Sequence, residues 1–239
     1  MSVRSVGVIS LLLVAAPFVA AQEEEAPSPW AGKATLGYLA TSGNTENSTL
    51  NAGFEVSYAT GEWKHLFKAR AINATEDEQT TAEAYEASWK SERNFSEHNY
   101  LFGQLDWRKD RFSGYETQFS QTLGYGRRLI DKPAHKLNAE IGGGARQSAL
   151  ADGTEESETI ARLGLDYAWK ISDTSSFTQR FTVEAGNANT YSESVTALSA
   201  RLVGNLALVA SYTIKNNSDV PPLIEKTDTY TALSLEYTF

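Results

Sequence analysis

Apolar and polar side chains alternate one for one over a dozen residues at a stretch, and this constrains the chain more than any other feature of its sequence. Across 48–60, Leu50, Ala52, Phe54, Val56 and Tyr58 fall on one side, with Thr49, Asn51, Gly53, Glu55 and Ser57 on the other. A period of two belongs to an extended strand and not to a helix. The pattern returns in Thr159, Ala161, Leu163, Leu165, Tyr167, Trp169 and Ile171, opposed by Arg162, Gly164, Asp166 and Lys170. It returns again in Phe177, Phe181, Val183 and Ala185 against Thr178, Arg180, Thr182 and Glu184.

Marking every such run predicts about twelve strands, over 30–41, 48–60, 63–75, 83–92, 98–110, 116–129, 136–148, 158–171, 175–187, 193–204, 206–216 and 227–239. Most reach the ~9–11 residues that a tilted strand needs to cross a bilayer, against ~5–6 in soluble sheets. Pro133, Pro221 and Pro222 all fall between runs, where they delete no ladder hydrogen bond. A soluble sandwich would use strands of half this length with irregular crossovers. Here the links are nearly all hairpin-sized, and closing the meander is the one way to leave no bare edge in lipid. The expected fold is all-β, a transmembrane up-and-down antiparallel barrel of about twelve strands over 30–239.

The preceding residues read differently. Arg4 supplies a positive start, Val6 to Ala20 an apolar stretch, and Val19-Ala20-Ala21 a small-residue cleavage site. Residues 1–21 are expected to be a signal peptide for export, and 22–29 a short polar periplasmic leader. Charge narrows the function classes. With 21 Lys and Arg against 30 Asp and Glu, the net charge of −9 argues against a nucleic-acid partner. There is no cysteine, so disulfides, thiolate metal sites and cysteine nucleophiles drop out. The three histidines, His65, His98 and His135, sit on separate segments in no metal-ligand spacing, and no Gly-x-Ser-x-Gly elbow occurs. No catalytic residue, metal or cofactor is expected.

Two kinds of linker alternate, a short set such as Gly61-Glu62 and a longer, more acidic set that includes 76–82 and 149–157. Short periplasmic turns opposite longer outer loops are the organisation of outer-membrane barrels. Aromatic residues bracket the strands as interfacial girdles, with Trp30, Trp63 and Trp169 toward the short turns and Tyr38, Tyr85, Trp107 and Tyr230 toward the loops. The face away from lipid carries Lys33, Lys68, Arg70, Lys90, Arg108, Arg146, Arg162, Arg180 and Arg201 with Glu55, Glu140, Asp166 and Glu184. This lumen-lining set holds more base than acid. Tyr100 and Phe102 break the phase of their strand, through either a bulge or an aromatic plug.

The end of the chain, Leu233-Ser234-Leu235-Glu236-Tyr237-Thr238-Phe239, resembles the last strand of bacterial outer-membrane proteins. The resemblance makes Tyr237 and Phe239 a signal to the barrel-assembly machinery. At the front, Trp30-Ala31-Gly32, Leu36-Gly37-Tyr38, Ser42-Gly43-Asn44-Thr45, Ser48 to Asn51 and Trp63-Lys64-His65 resemble the family of salt-induced outer-membrane proteins, an uncharacterised Gram-negative barrel family. That likeness implies the same barrel in the outer membrane and brings no catalytic residue. The expected partners are the bilayer, lipopolysaccharide and the assembly machinery, and a monomer is expected. Two functions stay open, a narrow passive pore for small anionic solutes and a non-conducting, stress-related envelope protein presenting acidic loops.

Overall fold

In the computed structural model, the described residues are 28–41, 47–77, 79–111, 113–150 and 152–239. The expected signal peptide, most of the leader and Ser42 to Thr45 lie outside them. The alternating runs become twelve strands: β1 (Trp30–Thr41), β2 (Asn47–Thr60), β3 (Trp63–Glu76), β4 (Gln79–Asn94), β5 (Asn99–Asp110), β6 (Tyr115–Asp131), β7 (His135–Leu150), β8 (Glu155–Lys170), β9 (Ser175–Ala185), β10 (Thr190–Val203), β11 (Leu206–Asn217) and β12 (Thr227–Thr238). Each pairs antiparallel with its chain neighbours, and β1 closes on β12 to complete a barrel. At that seam Gly32 N donates to Phe239 O and Phe239 N to Gly32 O, both at 2.9 Å, while the Phe239 ring stacks 6.3 Å from Phe54.

Turn chemistry follows from the hairpins. Thr60 pairs with Trp63, so Gly61 and Glu62 alone make that connection, and Gly61 takes φ of 55°, which a side chain would disfavour. On the loop side the strands run further than expected. β4 starts at Gln79 rather than 83, and β7 and β8 pair out to Ala149 and Glu155. Strands of 16 and 17 residues exceed what a bilayer requires. At the overruns 79–82 and 155–157 most side chains are exposed on both faces, so the alternation fades there while the hydrogen-bond ladder continues.

The outer surface is apolar. Leu36, Leu101, Leu123, Ile141, Leu163, Leu198 and Leu233 are all exposed, from strands all round the barrel. A continuous belt of this kind is foreign to a soluble monomer and suits hydrocarbon.

β5 keeps an unbroken register against β4 and β6, so its aromatic pair needs no bulge. Tyr100 and Phe102 point inward and are buried, forming a plug on one wall. Their partners in register are Gly126 and Gly124, which leave room for the two rings. A Cβ on Gly124 would lie 2.6 Å from the Phe102 ring and against the Ile141 carbonyl. Gly124→Ala is therefore expected to destabilise the barrel by about 1–3 kcal/mol in urea unfolding from lipid vesicles, the range for overpacked interiors.

Candidate functional site

Inward phase places the charged side chains, and the structure puts most of the expected set together. Lys33, Glu55, Lys68, Arg70, Lys90, Arg108, Glu140, Arg162, Asp166 and Arg180 line one interior cavity of about 490 Å³. Arg146 and Glu184 lie beyond it toward the loop end, fully buried. Arg201 is not among them. It sits exposed near the end of β10, beside the bulge between Arg201 and Val203.

Trp30, Trp63, Trp169, Tyr38, Tyr85 and Trp107 are exposed on the outer surface, and so are Tyr237 and Phe239 at the seam. Tyr230 is a correction. It shares the inward phase of Ser234 and Glu236, lines the cavity, and carries the Lys215 ammonium 5.3 Å above its ring. Two histidines join the outer aromatic clusters: His65 stacks between Trp63 and Trp89, and His135 packs on Tyr167 and Trp169.

The interior charges are paired. Bridges between neighbouring strands include Lys33–Glu236 at 3.1 Å, Lys68–Glu55 at 3.3 Å and Arg180–Asp166 at 2.7 Å, together with Arg70–Glu86, Arg146–Glu158 and Arg162–Glu184. Others cross the lumen. Arg70 of β3 donates at 2.6 Å both to Glu86 of β4 and to Glu193 of β10, while Lys215 of β11 donates to the other oxygen of Glu86. Lys90 of β4 reaches Glu140 of β7, which also accepts the Tyr100 hydroxyl at 2.7 Å.

The densest knot is at Glu184 of β9. It accepts Arg108 at 2.8 Å, Arg162 at 2.7 Å and Ser120 at 3.2 Å, with Arg146 at 3.8 Å. Arg146 is held in turn by Glu158 at 2.6 Å and by the Asn189 carbonyl. Burying charges is tolerable only when opposite charges meet in this way.

Water access falls from one end to the other. Beside the aromatic plug, in the short-turn half, the side chains of Lys33 and Arg180 are 43% and 44% exposed. Toward the loops Lys215 drops to 6%, and Arg146 and Glu184 to 0%. The connection at 218–226 then folds over the mouth. Tyr115 donates its hydroxyl to the Asp219 carbonyl at 3.1 Å, and Asp219 N donates to Asn189 Oδ1 at 3.2 Å. Beneath this cover a second space of about 20 Å³ remains, room for about one water. At the rims the acids are solvated. Asp173 is held below the usual carboxylate range because Lys170 donates to it at 2.6 Å.

The expected surplus of base does not appear in the lining, where Asp and Glu are as numerous as Lys and Arg. Glu92 and Glu193 share the inward phase of Lys90 and Arg201, and that signal was available in the sequence. Glu158 also shares the phase of Arg162, but it falls at the margin of the expected strand. Nothing in the alternation marks which charges meet across the lumen. Among the described residues, no three His, Asp or Glu side chains are placed to hold a metal ion.

Comparison with known proteins adds the following. The sequence pattern of a family described as "Protein of unknown function, DUF481" matches residues 34–239. The Escherichia coli (strain K12) protein named "Uncharacterized protein YdiY" is 33% identical over 213 residues, spanning 89% of this chain and 84% of that protein. Among solved structures, the NanC porin aligns over 87% of this chain and 97% of its own with a TM-score of 0.49 and 10% identity. The KdgM porin aligns over 87% and 99% with a TM-score of 0.45 and 8% identity.

Proposed function

Taking as premise that the chain belongs to the DUF481 family of proteins of unknown function, we propose that it is an outer-membrane β-barrel acting as a narrow passive pore for small solutes, nearly closed at rest. The observation that carries this is the interior itself: a cavity of about 490 Å³ that runs from Lys33 and Lys64 near the short turns up to Tyr191 meets a buried ion-pair layer around Arg146 and Glu184 at the loop end. Eight-stranded barrels fill their interiors with side chains, whereas this wider barrel keeps a chamber with room for a small solute. The outer-membrane location is supported by the closed ladder and the apolar exterior, which together satisfy the backbone in lipid. Export by residues 1–21, contact of the acidic loop side with lipopolysaccharide, and handling of β12 by the assembly machinery belong to the same reading. No catalysis is assigned.

A second reading rests on the cross-lumen bridges of Arg70 and Lys215, which suit a non-conducting envelope barrel equally well. Planar-bilayer recording separates the two. Folded, heat-modifiable protein is expected to give small, brief, discrete steps that scale with salt. Persistent silence from the same material would put the non-conducting reading in its place.

A further inference from the structure

The two internal spaces share three lining residues, Glu86, Arg108 and Tyr191. These side chains are therefore the partition between the wet chamber and the capped mouth. Tyr191 is only 3% exposed, and the Arg108 guanidinium lies 4.0 Å from its ring centroid. Of the nearby acids, Glu86 is engaged by Arg70 and Lys215, Glu193 by Arg70, and Glu184 by Arg108 and Arg162, while Asp110 and Asp228 line only the small space on the loop side.

What is left unmatched has one character. Among the described residues the buried side-chain atoms without a hydrogen-bond partner are Arg108 Nη1, Tyr191 Oη, Arg146 Nη1, Arg162 Nε and Thr122 Oγ1. Every one of them can donate, and none is a carboxylate oxygen.

We propose that Arg108 and Tyr191 form the selectivity partition of this lumen, and that the path opened there passes small carboxylates and other anions in preference to cations. The inference rests on the pore reading above. A solute squeezing past Tyr191 sheds water, and each lost contact must be replaced by the wall. A carboxylate or chloride finds free donors on Arg108 and Tyr191. A potassium ion at the ring finds the Arg108 guanidinium, together with Glu86, Glu184 and Glu193, which it could use only by prising them from buried cations. Net charge of the lining is even, so the preference comes from unspent hydrogen-bonding capacity.

The test is single-channel recording of wild type and Tyr191→Ala in potassium chloride and potassium acetate. Tyr191→Leu gives the same readout if the alanine variant fails to fold. Removing the ring joins the two spaces, so unitary conductance is expected to rise on the order of threefold or more, as it does when a hydrophobic or steric constriction is widened. Under a salt gradient the reversal potential is expected on the anion side, and adding Arg108→Gln to the opened barrel should move it toward the cation side.

If wild type conducts but the Tyr191 variants change neither conductance nor selectivity, the partition falls and the pore reading stands. If wild type is silent while the variants conduct anions, the resting pore falls and the partition stands. Silence from all of them, or cation selectivity in an opened variant, overturns the partition.

Discussion

Glu184→Ala is expected to cost the folded barrel about 3–5 kcal/mol, the price of breaking a buried ion pair by removing one partner. The magnitude follows from position. Glu184 is fully buried and accepts Arg108 and Arg162 at once, with Arg146 close by. After truncation Arg146 retains Glu158 and Arg162 retains Asp106 at 3.8 Å, but Arg108 has no ion-pair partner among the described residues. Glu184→Gln, which keeps an acceptor without the charge, should lose less. Urea titration of barrels folded into lipid vesicles reads both. A midpoint unmoved in the alanine variant would mean that the knot is solvated and carries no structural weight.

The second large effect lies on the opposite face. Leu163 sits near the middle of β8, 54% exposed, between Ile141 and Val183 in register. Leu163→Arg places a guanidinium in the hydrocarbon belt and is expected to cost about 2–4 kcal/mol, whereas the same change near an interface costs about 0–1. Trp169→Arg, at the short-turn end of the same strand, is the matched comparison. Equal losses at the two positions in vesicle-based urea titrations would show that this surface does not meet a bilayer with a polar boundary near Trp169.

The two effects together show what could be read from the chain alone. Alternation placed β1, β2, β3 and β12 nearly to the residue, because one face of each meets lipid and the other the interior. It failed at 79–82, where Gln79, Thr80 and their neighbours are polar on both faces yet still paired in the ladder. It also left Tyr100 and Phe102 ambiguous, since an inward aromatic violates the simple rule until the glycines opposite are known to be its neighbours. Individual inward charges such as Arg108 and Glu184 were legible from phase. Their meeting was not, because Arg70 and Glu193 stand 123 positions apart and curvature of the closed wall decides who faces whom. Tyr191 escaped for a related reason: its importance comes from the boundary it shares with Arg108 and Glu86, and no local pattern encodes a boundary.

The strands that overrun the bilayer on the loop side have a consequence of their own. Backbone paired in a continuous ladder is stiff, and a protease cannot draw the paired residues of β4, β6, β7 and β8 out as an extended chain without breaking that ladder. Along β4, β6, β7 and β8, a partner approaching the loop end meets paired backbone held in a fixed relief.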